Sequence, residues 1–515
     1  MRIRSLFLVA LLLPTAIFLF SCQSYNLTRE VSEVKKSASI DHQSEFIKIH
    51  KADGGVYVLQ KWIVDEQNKT ITGTGILYDH NREIQDEGYL QIPYNEILLI
   101  ETNVLDPSLM TEAFGGLTLV SGALTVYCLT NPKACFGSCP TIYAWDGKDM
   151  SLQAEGFSSS IARVLEEEDI DALHSLKPQN RNLEIKVTNE ALETHSIKYL
   201  NILAARRHHD SEVFHTHSNE FYEVANLQPP KICDSDNGDC LERIKSFNDL
   251  EYYSETDSSD LAVKETLELT FDQIPDGKLG LVLGYRQTLL TTYLIYQSLA
   301  YMGSKYGDWL AKLETNNSNI KDFTSKSYSL LGDLEIYILD ENQKWKKCGS
   351  ISENGPIARN LELASLIDSY SLPLKIQIRM TRGMWRIDYA AIGQVINKVE
   401  PQRIFPIEVS KDEVCDESAL QRLHDSSKYL VTFPGDSYSL FFQLPEDYSN
   451  YEYFVESKGY YYEWMRDAWL KEESQENLFA FFFDSRNHFK KLAPEYKKIE
   501  PTMDKIFWES KYENK

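Results

Sequence analysis

ACFGSCPTIYAWDGKDMSLQAE, Ala134–Glu155, decides how the middle of this chain folds. After Pro140 the residues Thr-Ile-Tyr-Ala-Trp alternate in character, Asp146-Gly147 interrupts them, and Met-Ser-Leu-Gln-Ala-Glu alternates again. An Asp-Gly pair between two period-two runs predicts a β-hairpin, because glycine accepts the positive φ that a tight hairpin turn demands. Cys135 and Cys139 precede the hairpin with three residues between them. Redox dithiols place two residues between their cysteines and lower one thiol's pKa at a helix N-terminus. Pro140 and a strand follow here, so the pair reads as a staple, with Cys128 as a further local partner.

The same alternation recurs along most of the chain. EFIKIHKADGGVYVLQKWIVDEQNKTITGTGILYD and YLQIPYNEILLIETN read as short strands, with turns at Asp53-Gly54-Gly55 and Glu66-Gln67-Asn68. RNLEIKVTNEALETHSIKYLNILAARR predicts two strands around a Thr-Asn-Glu turn, and ETLELTF, LGDLEIYILDENQKWKKCG and LKIQIRMTRGMWRIDYAAIG add more. In TLLTTYLIYQSLAYMGSKYGDWLAKLE the apolar residues Leu289, Tyr293, Tyr296, Leu299 and Ala300 recur at helical spacing, with breaks expected at Gly303 and Gly307. The tail after Gly459 reads as mostly helical and aromatic.

The fold expected is therefore a β-rich α+β protein. It places a small β-barrel at 44–104, a buried apolar connector at 105–139, a β-sandwich-like body at 140–457 with a helical insertion at 286–315, and a helical region at 458–515. The front segment resembles SH3-like β-barrels of secreted bacterial proteins. Ala113–Leu129 carries no charge, but its three glycines disfavour a spanning helix, so a packed segment is expected there.

Met1–Cys22 bears on location. MRIR is basic, SLFLVALLLPTAIFLF is apolar, and Ser21 precedes Cys22. This is the order of an export signal. LFSC resembles the bacterial lipobox, which implies cleavage after residue 21 and a diacylglycerol on Cys22. Gln23 stands where the inner-membrane retention signal carries Asp, so the resemblance implies the outer membrane, facing the periplasm or, alternatively, the cell surface. Residues 22–43 read as a polar tether.

A net charge of −24 repels a phosphate backbone, which argues against nucleic acid as a partner. The chain has eight cysteines, and setting Cys22 aside leaves seven (8 − 1) for an oxidising compartment. Cys233 and Cys240 bracket the turn-rich DSDNGD and form the expected disulfide; Cys348 and Cys415 are candidates for a bond between domains. DSDNGD lacks the glycine position and the bidentate Glu of a calcium loop.

Other chemistry is sparse. In HHDSEVFHTH, His215 and His217 alternate on a strand and share a face, so they form a metal site only if His208 or Asp210 turns back as a third ligand. GFSSSIA lacks the flanking glycines of a nucleophile elbow. The run Glu166–Asp169 reads as a solvated charged face. Tyr460, Tyr461, Trp464 and Trp469 either pack as helix residues against a sheet, the more ordinary outcome at this spacing, or present an aromatic surface for a glycan or protein. No cofactor is expected.

CPTIYAWDG, LEIKVTNEALETHSIKYLNILAARRHHDSEVF and PGDSYSLFFQLPEDYSNYEYFVESKGYYYEW together resemble a β-rich module of uncharacterised bacterial secreted proteins and lipoproteins. The resemblance implies architecture and location, and no activity. The expected role is binding or scaffolding at the cell envelope, including an envelope protein partner; the competing expectations are an envelope hydrolase acting on glycan or peptide, and glycan capture through the aromatic tail.

Overall fold

The computed structural model describes residues 25–28, 31–32, 46–51, 56–78, 84–101, 104–107, 139–191, 193–248, 250–303, 330–352, 355–356, 358–367, 369–432, 435–463 and 472–509. Of the described residues, 51% are in strands and 18% are helical, in several antiparallel sheets, which makes it a β-rich α+β fold. Its residues divide into two compact units, one drawn from Met1–Val126 and Met465–Glu473, the other from Tyr127–Trp464 and Ser474–Lys515. The signal, Cys128, Cys135, most of the connector, Trp464, Trp469 and the insertion beyond Gly303 lie outside the described residues.

In the first unit, Val31–Ser32, Ile97–Glu101, Phe46–Lys51, Val56–Asp65, Thr70–Tyr78 and Ile84–Pro93 form one sheet in that order. Ile47, Ile49, Leu59, Ile71, Ile92 and Ile100 supply its core. The turn expected at Glu66–Asn68 is held by Asp65, whose Oδ1 accepts from the backbone N–H of Gln67 and of Asn68, each at 3.0 Å. The end strands do not pair with each other, so the expected barrel is an open sheet. Two pieces of the presumed tether are strands: Tyr25–Thr28 pairs with Val104–Pro107, and Val31–Ser32 with Ile97–Glu101. Backbone pairing of this kind needs no apolar pattern, which is why composition did not reveal it.

The second unit is built on a sandwich. One layer runs Met150–Glu155, Thr141–Trp145, Asn182–Thr188, Ser437–Gln443, Glu408–Lys411, Val414–Cys415. The facing layer runs Glu167–Ala172, Tyr451–Glu463, Glu193–Arg206, Gln402–Ile404, with Leu430–Thr432 also on Glu193–Arg206. Ile142, Ile185 and Phe442 from the first layer and Ile202, Val455 and Tyr461 from the second share one core. The opening hairpin is present: Thr141–Trp145 pairs with Met150–Glu155, Asp146 Oδ1 accepts from Lys148 N and Asp149 N at 2.8 Å, and Gly147 takes φ +101°. The strands flanking the Thr-Asn-Glu turn do not pair with each other, because the turn carries the chain from one layer to the other. Buried Asn189 secures that crossing, its Nδ2 donating to Glu193 O at 2.9 Å and Thr432 O at 3.3 Å.

The outer face of the second layer packs on a third sheet, with Ile170, Leu203 and Phe454 meeting Val213 and Phe221. That sheet runs Ser211–His215, Phe221–Gln228, Trp385–Val399, Leu279–Gln287, Asn360–Ile367. A fourth contains the expected strands Lys264–Phe271, Leu334–Leu339 and Leu374–Thr381. The helix expected from Leu289 is present as Leu289–Met302, with the Thr288 hydroxyl accepting from Leu290 N at 3.2 Å. Almost all of its side chains are buried, so it is a central element rather than an amphipathic cover.

The reading of the tail needs correction. Tyr451–Glu463 is a strand, paired with Glu193–Arg206 along its whole length, and the described helices of the tail are Gln475–Phe483 and Ser485–Glu509. Tyr460 and Tyr461 are buried as a result, at 0% and 6% exposure, and offer no binding surface. Successive strand residues point to opposite faces. In a strand buried on both sides the aromatic run fills two layers at once. No helix among the described residues is long and apolar enough to cross a membrane.

Candidate functional site: an acid-walled pocket

Four strands and one helix of the second unit shape a cavity of about 800 Å³. They are β2 (Glu167–Ala172), β3 (Ser211–His215), β4 (Asn360–Ile367), the strand Tyr451–Glu463 that carries Lys458, and the helix α1 (Leu289–Met302), with the segment that follows β1 (Met150–Glu155) closing one side. The volume lies within the range that small-molecule sites occupy.

β2 supplies the first wall. Asp169 and Asp171 stand two apart and share one face of the strand. Their carboxylates accept from the backbone at the end of β1: Asp169 Oδ2 from Phe157 N at 2.7 Å, and Asp171 Oδ2 from Glu155 N at 3.2 Å. Side chains here do the work of a ladder partner, which explains acids on a buried strand. Burial pushes the Asp169 carboxyl up to about 6; the Phe157 N–H and His215 oppose the shift, and Glu362 adds to it. Burial, then the Asp169 charge, raises Asp171 well above the ordinary range.

β3 and β4 supply the opposite wall. His215 is 2% exposed and packs its ring on Phe221 and Phe454, with centroids 6.2 and 5.6 Å away. Its Nε2 lies 3.5 Å from Glu362 Oε1. Burial works to raise the Glu362 carboxyl, but the hydrogen bond and charge of His215, then the Tyr285 hydroxyl, outweigh it and hold the group below its ordinary value. Asn360 shares the Glu362 face of β4, two residues away. Asn360 Oδ1, Glu362 Oε2 and His215 Nδ1 are buried and make no hydrogen bond among the described residues. All three residues line the cavity.

Around these groups the lining is mixed. Glu166, Glu167 and Glu168 join Asp169 and Glu362 on the acidic side, against Lys458. Ile295, Leu299 and Met302 of α1 and Phe482 supply apolar surface, and Ser158–Ser160 close one side.

The residues singled out from sequence fare unequally. His215 and His217 do share the cavity, and His217 Nε2 meets Ser352 Oγ at 2.7 Å. His208 does not join them. It sits before the opposite end of β3, its side chain 83% exposed, with Nδ1 2.6 Å from Glu223 Oε1. Among the described residues no three His, Cys, Asp or Glu side chains are grouped to hold a metal, and His208 does not turn back as the third ligand that the conditional histidine site needed. The Cys233–Cys240 disulfide is present, closing the hairpin Ile232–Ser235/Gly238–Asp239. Cys139, expected in a local disulfide, is a buried free thiol, pushed well up by burial and by the charges of Glu155 and Glu193. Cys348 and Cys415 are also free, on strands of different sheets. The run Glu166–Asp169, read as a solvated face, is exposed at Glu167 and Glu168 as expected, and it also lines the cavity. Asp169 and Asp171 alternating with Ile170 and Ala172 carried a signal that the strand leaves solvent after Glu168, where its residues become half-buried and then buried.

No protein-family model matches the chain, and no curated protein matches it.

Proposed function

We propose that this is a lipid-anchored bacterial cell-envelope protein with a binding role, held at the outer membrane through Cys22 and capturing a ligand in the acid-walled pocket. The observation that carries the binding role is that Asn360, Glu362 and His215, all lining one cavity, each keep a buried polar atom with no hydrogen-bond partner among the described residues. A buried polar atom without a partner costs about 1–3 kcal/mol, so a site that keeps three of them is suited to a ligand that satisfies them. The anchoring rests on the basic start, the apolar run and Ser21-Cys22. Cys22→Ala should move the protein from the membrane fraction to the soluble fraction on cell fractionation; retention in the membrane would place the anchor elsewhere.

One observation favours a second reading, an envelope hydrolase acting on glycan or peptide. Asp169 is shifted up and Glu362 down within one cavity, an arrangement that separates a proton donor from a base. Purified peptidoglycan incubated with the protein tests it. Release of soluble fragments that is abolished in both Asp169→Asn and Glu362→Gln supports hydrolysis, and no release rules it out for that polymer.

A further inference from the structure

We propose that the pocket takes an organic ammonium: a primary amine seated on Glu362 Oε2, Asn360 Oδ1 and Asp169, with its carbon skeleton along Ile295, Leu299 and Met302. This rests on the binding role given above and names the class of ligand.

The groups left without partners decide the polarity of the ligand. Glu362 Oε2 and Asn360 Oδ1 are acceptors only. Two such acceptors on residues that line one space call for a ligand that donates, and an ammonium carries three N–H donors on one atom. Charge points the same way. Glu166, Glu167, Glu168, Asp169 and Glu362 line the cavity against Lys458, so an anion is repelled and a neutral alcohol leaves the acidic field uncompensated.

A bare divalent cation would also answer that field, but no three ligating side chains are grouped for one among the described residues. The apolar strip of α1 has no use for a hydrated metal. It does suit methylenes, each worth about 0.8 kcal/mol when buried. Charged head on β2 and β4, aliphatic body on α1: the two walls match the two ends of an alkylamine.

Three six-carbon probes separate the alternatives: n-hexylamine, n-hexanol and hexanoate, titrated calorimetrically into the full chain held in phosphatidylcholine nanodiscs, with empty nanodiscs as the blank. Hexylamine should bind about tenfold or more tightly than hexanol, the worth of one charge-assisted hydrogen bond, and hexanoate should give no heat above the blank. Glu362→Gln should erase the preference for the amine while hexanol binding persists. Asn360→Asp, which adds a carboxylate at the same place, should tighten the amine and so tests the idea even where Glu362→Gln fails to fold. Equal binding of hexylamine and hexanol would overturn the ammonium assignment while leaving a pocket that binds. Preference for hexanoate, displacement of hexylamine by stoichiometric Ca²⁺ or Zn²⁺, or no binding of any probe would overturn it as well. None of these results bears on the Cys22 anchor, whose test is separate.

Discussion

Asp169→Asn isolates the energetic consequence of building acids into a buried wall. The wild-type carboxyl moves from an ordinary 3.8 to about 6 in the folded chain. Because the folded value is raised, the neutral form is the favoured one. Its contribution is fully present below pH 3.8, falls as pH rises toward 6, and is gone above that. The span corresponds to about 3 kcal/mol, at roughly 1.4 kcal/mol for each tenfold change in proton affinity. Asparagine is neutral throughout and its Oδ1 can still accept from Phe157 N, the contact that Asp169 Oδ2 makes at 2.7 Å. The variant should therefore be near wild-type stability at pH 4 and more stable than wild type by about 3 kcal/mol at pH 7.5. Asp171 feels the Asp169 charge and titrates with it, which spreads the change over a wider pH range without altering its sign. Chemical denaturation of both proteins at the two pH values, followed by tryptophan fluorescence, measures the difference, and groups common to both chains cancel. A difference that is unchanged or smaller at pH 7.5 would refute the reasoning, since it would mean that the ionised carboxylate is as well solvated in the folded chain as in the unfolded one. Gain of stability on removing an acid from the pocket is what a site organised for a ligand, rather than for the empty fold, should show.

Two further outcomes follow from the packing. Gly459→Ala places a Cβ 2.3 Å from Ser196 O and 2.8 Å from Phe157 Cζ, in the middle of the longest strand pair, where the backbone oxygen cannot yield without breaking the ladder; a loss of about 1–3 kcal/mol or more is expected on thermal unfolding. Among the cysteines of the second unit, iodoacetamide should modify exposed Cys415 in the native protein, buried Cys139 only in denaturant, and Cys233 and Cys240 only after reduction, as read by peptide mass spectrometry. Rapid native labelling of Cys139 would contradict its place in the sandwich core.

The sequence by itself determined the local structure wherever period and punctuation coincide. The Asp146-Gly147 hairpin, the alternation of Asn182–Thr188, the helix beginning at Leu289 and the disulfide around DSDNGD all depend on contacts a few residues apart, and each was legible. Only the tertiary structure decided which sheet each strand joins and what its second face meets. The Thr-Asn-Glu turn looked like a hairpin and is a step between layers, because pairing partners are chosen by the packing of both faces and not by proximity in the chain. The aromatic tail looked helical and became a central strand for the same reason. The pocket was least legible of all. Its walls come from residues 169, 215, 295 and 360, and a run such as Glu166–Asp169 has the same composition whether it faces water or a cavity. What separates the two cases is the set of groups the folded chain places opposite, His215, Glu362 and the N–H of Phe157, and that is a property of three dimensions.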